Sequence, residues 1–390
     1  MKIVTMGDSP HTISGFGTAM RFLDTYLHNV GHEVYHIGFQ SFGQEMVASF
    51  HDSVLGYKVL PNIGGKRFGD DAWKFWLPKI NPDVFLTLAD FWMLIDLFRN
   101  DVEYPWAMWY PIDGYPLTTQ LEEMLKKLDY RVCMSNWGAE MVRRKGFSSH
   151  HIPHGVDTTI FSPKHPKENM ATRDLLGIPR NCILLGVFGR NQNRKKHPRA
   201  IKIFLEARKQ RPDLDIRMLM WMDMRDTEGW DFEFICKRYG LVIGKDVFFP
   251  PTHIMPNFMY GAPSELMGKI MSCCDIKLDT TGGEGFGLTN VEAMSAGTLV
   301  IGTDYTTVGE ILGDWKCGLP INVETWDMGN AGVDRAMVDV QHGASQVLWA
   351  IDNADEVIAM TKLGVERAKE VYDWGVVVQQ FDQYLRDIKL

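Results

Sequence analysis

The sequence predicts an α/β protein: two domains, each a parallel sheet wound on both faces by helices. Three observations predict it. Short apolar runs such as Lys2–Met6, Trp106–Tyr110 and Ile183–Phe188 alternate with stretches of helical period. A length of 390 residues exceeds what one ordinary core holds. Glycine-bearing turns follow strands and precede helices, the carboxyl edge of an open sheet where ligands bind.

In chain order, Lys2–Met6 is read as a strand. Thr18–Asn29 is a helix with Met20, Leu23 and Leu27 on one face, stopped at Gly31. Strands follow at Glu33–Ile37, Asp83–Leu88, Trp106–Tyr110, Arg131–Met134 and His150–Ile152, with a helix over Asn136–Lys145. Asp157–Arg173, with Pro163 and Pro166, reads as the linker. A second α/β unit continues through the strand Ile183–Phe188, helix Pro198–Arg208, strands Asp215–Met220 and Val247–Pro250, helix Ser264–Ser272 and strand Asp275–Leu278. After the strand Thr298–Ile301 come a short helix Val308–Leu312 and a strand Leu319–Val323. Asp334–Lys369 is expected to be helical, and a last helix runs over Gly375–Ile388. The expected domains are 1–165 and 166–370, with 371–390 as a tail.

Hydrophobic residues at 45% and charged residues at 23% fit a soluble globular chain. A net charge of -8 argues against a nucleic-acid surface. No run of about 18 apolar residues occurs, so membrane contact is expected to be peripheral at most. The N-terminus reads as a buried strand without the apolar core of a signal peptide. The six cysteines lie in apolar runs and form no C-x-x-C pair, so reduced core thiols in a cytoplasmic protein are expected.

The richest stretch is Asp279–Gly297. It carries glycines at 282, 283, 285 and 287 and then enters a helix. Glycines let a backbone take positive φ and approach a ligand, and a helix start offers N–H groups and a positive dipole end to an anion. Glu284 and Glu292 frame the turn. Glu284 sits among glycines with no helix to cap and is read as functional. Thr289-Asn290-Val291-Glu292 also fits a capping box, so Glu292 is either a ligand group or a cap. Arg190 and Lys195 follow a buried strand, where two cations can converge on a diphosphate or simply form a solvated basic turn. Gly15 and Gly17 follow the first strand without the third glycine of a dinucleotide fingerprint, leaving ligand loop and connector both open. His11 reads as a surface residue, and Asp213-Leu214-Asp215 as a turn before a strand rather than a metal pair.

Glu284-Gly285-Phe286-Gly287-Leu288 with Glu292-Ala293-Met294-Ser295-Ala296-Gly297 resembles the E-x7-E signature of retaining glycosyltransferases of family 4, which have the GT-B fold. Glu310, the Gly189-Arg190…Lys195 turn, His154-Gly155-Val156-Asp157 with Phe161, and Tyr372-Asp373-Trp374 resemble further stretches of that family. The resemblance implies two Rossmann-like doubly wound domains facing a central cleft, with the last helix crossing back to the first domain. It implies transfer of a hexose from a nucleotide-diphosphate sugar to a glycan, lipid or small-molecule hydroxyl, with retention, no metal and no cofactor. Arg190 and Lys195 then neutralise the leaving diphosphate, and Glu284 meets the sugar. Glu292 binds the ribose, the backbone of Phe286, Gly287 and Leu288 faces the phosphates, and Gly285 belongs to the same nucleotide-sugar site. Asp113 stands near where many members carry a histidine and is expected to contact the donor sugar or the acceptor. His154 replaces the family's usual asparagine. The alternative is a non-catalytic nucleotide-sugar or glycan-binding protein on the same fold.

Overall fold

A computed structural model describes residues 1–39, 55–63, 67–255, 261–313, 316–329 and 332–388. The chain divides into two units. One comprises Met1–Ile112, Leu117–Gly155 and Trp374–Leu390; the other comprises Asp113–Pro116 and Val156–Asp373.

In the first unit β1 (Lys2–Gly7), β2 (Glu33–Gly38), β3 (Lys58–Leu60), β4 (Val84–Leu88), β5 (Trp106–Tyr110), β6 (Tyr130–Cys133) and β7 (His150–His151) form one sheet, ordered β3-β2-β1-β4-β5-β6-β7. All its pairings are parallel. Every residue of β4 and β5 is buried, as a sheet covered on both faces requires. The last helix, Trp374–Asp387, belongs to this unit and buries Val377, Val378, Phe381 and Leu385. Its Trp374 ring stacks on Phe22 at 4.9 Å, and Phe381 meets Trp109 edge-on at 4.7 Å.

In the second unit β8 (Ile183–Phe188), β9 (Ile216–Trp221), β10 (Val247–Phe248), β11 (Ile276–Asp279), β12 (Leu299–Thr303) and β13 (Gly318–Ile321) are ordered β10-β9-β8-β11-β12-β13. They too are parallel. The chain winds outward to β9 and β10 on one side of β8 and to β11, β12 and β13 on the other. The switch point, where such sheets take ligands, therefore lies between the carboxyl ends of β8 and β11. An antiparallel hairpin, β14 (Val323–Met328) and β15 (Asp334–Val338), follows. Among the described residues, no helix is long and apolar enough to cross a membrane.

The alternating α/β reading holds, with differences of physical origin. The first helix begins at Gly15, not Thr18, because Ser14 caps it by accepting from the Gly17 N–H. The expected linker contains a helix, Pro166–Leu175, started by a capping box of His165 and Glu168 with proline in the first turn. Asp334–Val338 is strand rather than helix. Its partner β14 is mostly exposed and lacks the alternation that marks a half-buried strand.

Candidate active site

The glycine turn is the end of β11 folded over onto a helix. Gly287 takes φ 80° and ψ 47° as the cap of the helix Leu288–Ser295, a left-handed conformation that suits glycine. Gly283 has φ 145°, and a Cβ there would lie 2.2 Å from the Asp113 carbonyl oxygen. Gly282 donates its N–H to the Arg194 carbonyl at 2.8 Å and accepts from the Ala336 N–H at 3.1 Å. The turn is thus clasped between the loop after β8 and strand β15. Among the described residues, no side chain caps the following helix. The Asn290 N–H already donates to the Gly287 carbonyl at 2.8 Å, and the dipole of the helix start favours an anion.

Glu284 is buried, with partners that the sequence did not reveal. Lys195 Nζ donates to its Oε1, and Arg194 Nη1 lies 3.2 Å from its Oε2. Burial alone raises a carboxyl's pKa, but Arg194 and then Lys195 outweigh it and hold Glu284 down to about 2. Its backbone is fixed as well. The Glu284 N–H donates to Thr306 Oγ1 at 2.9 Å, and Thr307 Oγ1 donates to the Glu284 and Gly285 carbonyls at 3.0 and 3.1 Å. Thr306 takes φ 54° and Lys196 φ 50°, unfavourable for side-chain-bearing residues. Such strain persists only where the surroundings impose it, and here both cases flank the turn.

Arg190 and Lys195 lie in one loop and take different carboxylate partners. Arg190 forks onto Asp226, with Nε to Oδ2 at 2.6 Å and Nη2 to Oδ1 at 3.1 Å. Its side chain is more than half exposed, whereas that of Lys195 is mostly covered. The cation beside Lys195 is Arg194, which lies outside the pair that the sequence singles out. Between them the loop turns into a short 3-10 segment, Asn193–Lys195. This lets the side chains of 194 and 195 reach Glu284, while Arg190 pairs with Asp226.

Asp113 belongs to the second unit. Arg335 Nη1 donates to its carbonyl at 2.6 Å and Nη2 to Oδ1 at 3.2 Å; Arg194 Nε is 3.6 Å from Oδ2. Asp113 and Glu284, 171 positions apart by their numbers, therefore share one guanidinium.

Beneath the turn lies a buried triad. Lys277 Nζ donates to Asp279 Oδ2 at 2.8 Å and to Asn290 Oδ1, and Asn290 Nδ2 donates to the same Asp279 oxygen at 2.8 Å. Burial, partly offset by Asp279, pushes the Lys277 ammonium's pKa down. Against the cost of its own burial, Lys277 and then Lys195 hold Asp279 well below the usual carboxylate range. Lys277 sits in an apolar strand and reads as an interruption, so only its alternation with Asp279 could have drawn attention.

Glu292 is not a cap. The helix starts at Leu288 on Gly287, and the Glu292 carboxylate has no side-chain partner among the described residues. Burial pushes its pKa up to about 8, with Lys277 pulling weakly the other way. Phe286 is buried and meets Tyr372 edge-on at 5.7 Å, while Leu288 and Glu292 are part-exposed.

Gly15 and Gly17 lie in the first unit, in the opening turn of its first helix. A Cβ on Gly17 would fall 2.5 Å from the Thr12 carbonyl, so close packing demands glycine there. His154, also in this unit, is buried and bridges Gly155 O (Nδ1, 2.7 Å) and Gly15 O (Nε2, 3.2 Å). Asp213 and Asp215 pair with Arg211 and Arg217. All six cysteines are buried thiols outside any disulfide.

Two doubly wound parallel sheets with ligand-type turns at the switch point are the GT-B glycosyltransferase architecture. Residues 242–345, which include the glycine turn, match the family described as Glycosyl transferases group 1. The chain is 29% identical over 187 residues to the D-inositol 3-phosphate glycosyltransferase of Arthrobacter sp. (strain FB24), covering 47% of this chain and 41% of that protein. It thus spans less than half the length of that curated relative. Among solved structures, sucrose-phosphate synthase from Thermosynechococcus elongatus superposes with a TM-score of 0.76 at 17% identity, covering 99% of this chain and 98% of the other. Anabaena Alr3699/HepE, solved with UDP and glucose, superposes at 0.72 and 15% identity over the whole of both chains. These likenesses establish the fold.

Proposed function

We propose that this protein transfers a hexose from a nucleotide-diphosphate sugar to a hydroxyl acceptor, with retention of configuration and without a metal. One observation carries the reading. At the switch point of the second sheet, a glycine turn and a helix start lie beside Lys195 and Arg194, which are held on the buried Glu284. The family match supports the reaction class, and the UDP and glucose bound by a structural neighbour support the donor class.

In this reading the diphosphate arrives at the helix start, where the backbone of Gly285, Phe286, Gly287 and Leu288 offers dipoles. Lys195 is shared between Glu284 and the β-phosphate, and Arg190 exchanges Asp226 for phosphate oxygen. As the bond from the anomeric carbon to the phosphate oxygen breaks, negative charge grows on the diphosphate. Fixed cations stabilise it without reorganising. The acceptor hydroxyl forms the new bond on the same face and gives its proton to the departing phosphate oxygen, so no enzyme nucleophile is needed. Glu284 accepts from sugar hydroxyls, and Glu292 from the ribose. Asp113 faces the donor sugar or the acceptor. Gly15 and Gly17 supply a close-packed backbone on the acceptor-side unit.

The test is a screen of nucleoside diphosphates and their sugars by thermal shift, since a ligand that binds the folded chain raises its apparent stability. Stabilisation by at least one nucleoside diphosphate, lost in Lys195→Ala, is expected. No response to any of them contradicts the assignment.

A further inference from the structure

We propose that Arg335 is a positioning residue that fixes the Asp113 carboxylate beside the Glu284 turn and so sets the geometry of transfer. The inference rests on the glycosyltransferase reading above.

Arg335 lies on β15, in a hairpin outside every motif of the sequence. Its guanidinium grips one residue's backbone and side chain: Nη1 to Asp113 O at 2.6 Å, Nη2 to Oδ1 at 3.2 Å, and Nη1 3.2 Å from Oδ2. The Arg335 side chain is mostly covered, while Asp113 remains 40% exposed, so one face of the carboxylate stays open. The neighbouring backbone fixes the same segment. Asp334 N–H donates to Tyr115 O at 2.8 Å, and Tyr305 Oη accepts from Tyr115 N–H at 3.0 Å while donating to Asp334 O at 3.2 Å. A Cβ on Gly114 would sit 2.3 Å from Val333 Cγ1, so the segment lies directly on the hairpin.

A planar fork that grips carbonyl and carboxylate together sets orientation as well as charge. It also divides the labour of Arg194. With Arg335 on Asp113, Arg194 reaches Glu284 at 3.2 Å and stays 3.6 Å from Asp113. Without Arg335, the Asp113 carboxylate loses its nearer cation and competes with Glu284 for Arg194.

The bland reading is that Arg335 merely fastens the hairpin. Two other ion pairs already do so: Lys196 to Asp327 at 2.7 Å and Arg199 to Glu324 at 2.5 Å. Asp327→Asn loosens the hairpin without touching Asp113 and separates the two readings.

The experiment is a double-mutant cycle on transfer, using Arg335→Gln, Asp113→Asn and the pair, with Asp327→Asn as control. We expect Arg335→Gln to lower kcat roughly 10- to 100-fold, as a misplaced reacting group does, while nucleoside diphosphate affinity stays within about threefold. In the Asp113→Asn background the same change should cost about twofold or less, because residues acting as a unit are not additive. Arg335→Lys should recover only part of kcat, since an ammonium lacks the fork. Additive losses, or an Asp327→Asn loss equal to that of Arg335→Gln, overturn the proposal. If the wild-type protein neither transfers nor hydrolyses any donor, the glycosyltransferase reading fails. The cycle is then read on donor affinity by calorimetry, where coupled effects uphold the Arg335–Asp113 link and independent ones overturn it.

Discussion

Lys195 and Glu284, 89 positions apart, form an ion pair inside the second unit, with Glu284 only 6% exposed. A buried pair of this kind holds a cation in place before any ligand arrives. Removing one partner leaves the other uncompensated. Lys195→Ala should therefore lower transfer by about 100-fold or more through lost stabilisation of the leaving phosphate. Steady-state kinetics with the active donor checks it. Arg190→Ala, which removes an exposed cation bound to Asp226, should cost roughly tenfold by the same charge argument. Equal, near-wild-type rates in both variants exclude the diphosphate role.

Glu292 should make both stability and nucleotide affinity depend on pH. Its folded pKa, about 8, lies above the ordinary carboxyl value. The fold therefore favours the protonated form, and the penalty for ionising it grows from the ordinary value up to about 8 and then levels off. Glu292→Gln removes that penalty, so its gain in melting temperature over wild type should be larger at pH 8.5 than at pH 5.5. If ribose hydroxyls donate to the carboxylate, wild-type affinity for nucleoside diphosphate rises through this range. Calorimetry on Glu292→Gln should then give a flat profile.

Gly155→Ala should destabilise the first unit. A Cβ there would lie 2.2 Å from the Trp374 ring, which also stacks on Phe22 and meets His154 at 5.0 Å. Overpacking of this kind costs about 1–3 kcal/mol. Chemical denaturation followed by tryptophan fluorescence reads it, and an unchanged midpoint contradicts the packing account.

A chelator should leave transfer unchanged. Asp213 and Asp215 are each bound to an arginine, and among the described residues no group of three or more His, Cys, Asp or Glu side chains could hold a metal ion. Strong inhibition by EDTA, reversed by a divalent cation, would contradict this.

Much of the architecture was legible because parallel strands buried on both faces announce themselves as unbroken apolar runs. Trp106–Tyr110 and Ile183–Phe188 were placed to the residue. The hairpin was not, since Val323–Met328 is exposed and held only by cross-strand pairing. At the site, the glycine turn and its two glutamates stood out through composition. Their partners did not. Arg194 looked like one more charge in a basic loop, and whether it or Arg190 reaches Glu284 depends on how the chain bends at Asn193–Lys195. Arg335 and Lys277 act across the fold, where sequence distance carries no signal. Of the two readings left open for Glu292, the capping box does not form, because Gly287, needing no side chain, already starts that helix.

The most direct test of the central claim is release of nucleoside diphosphate from a panel of nucleotide-diphosphate hexoses, with and without hydroxyl acceptors. The account predicts release from at least one donor, faster with an acceptor, insensitive to EDTA and lost in Lys195→Ala. No release from any donor, in a protein that still binds nucleoside diphosphate, would contradict it and leave a binding protein on the same fold.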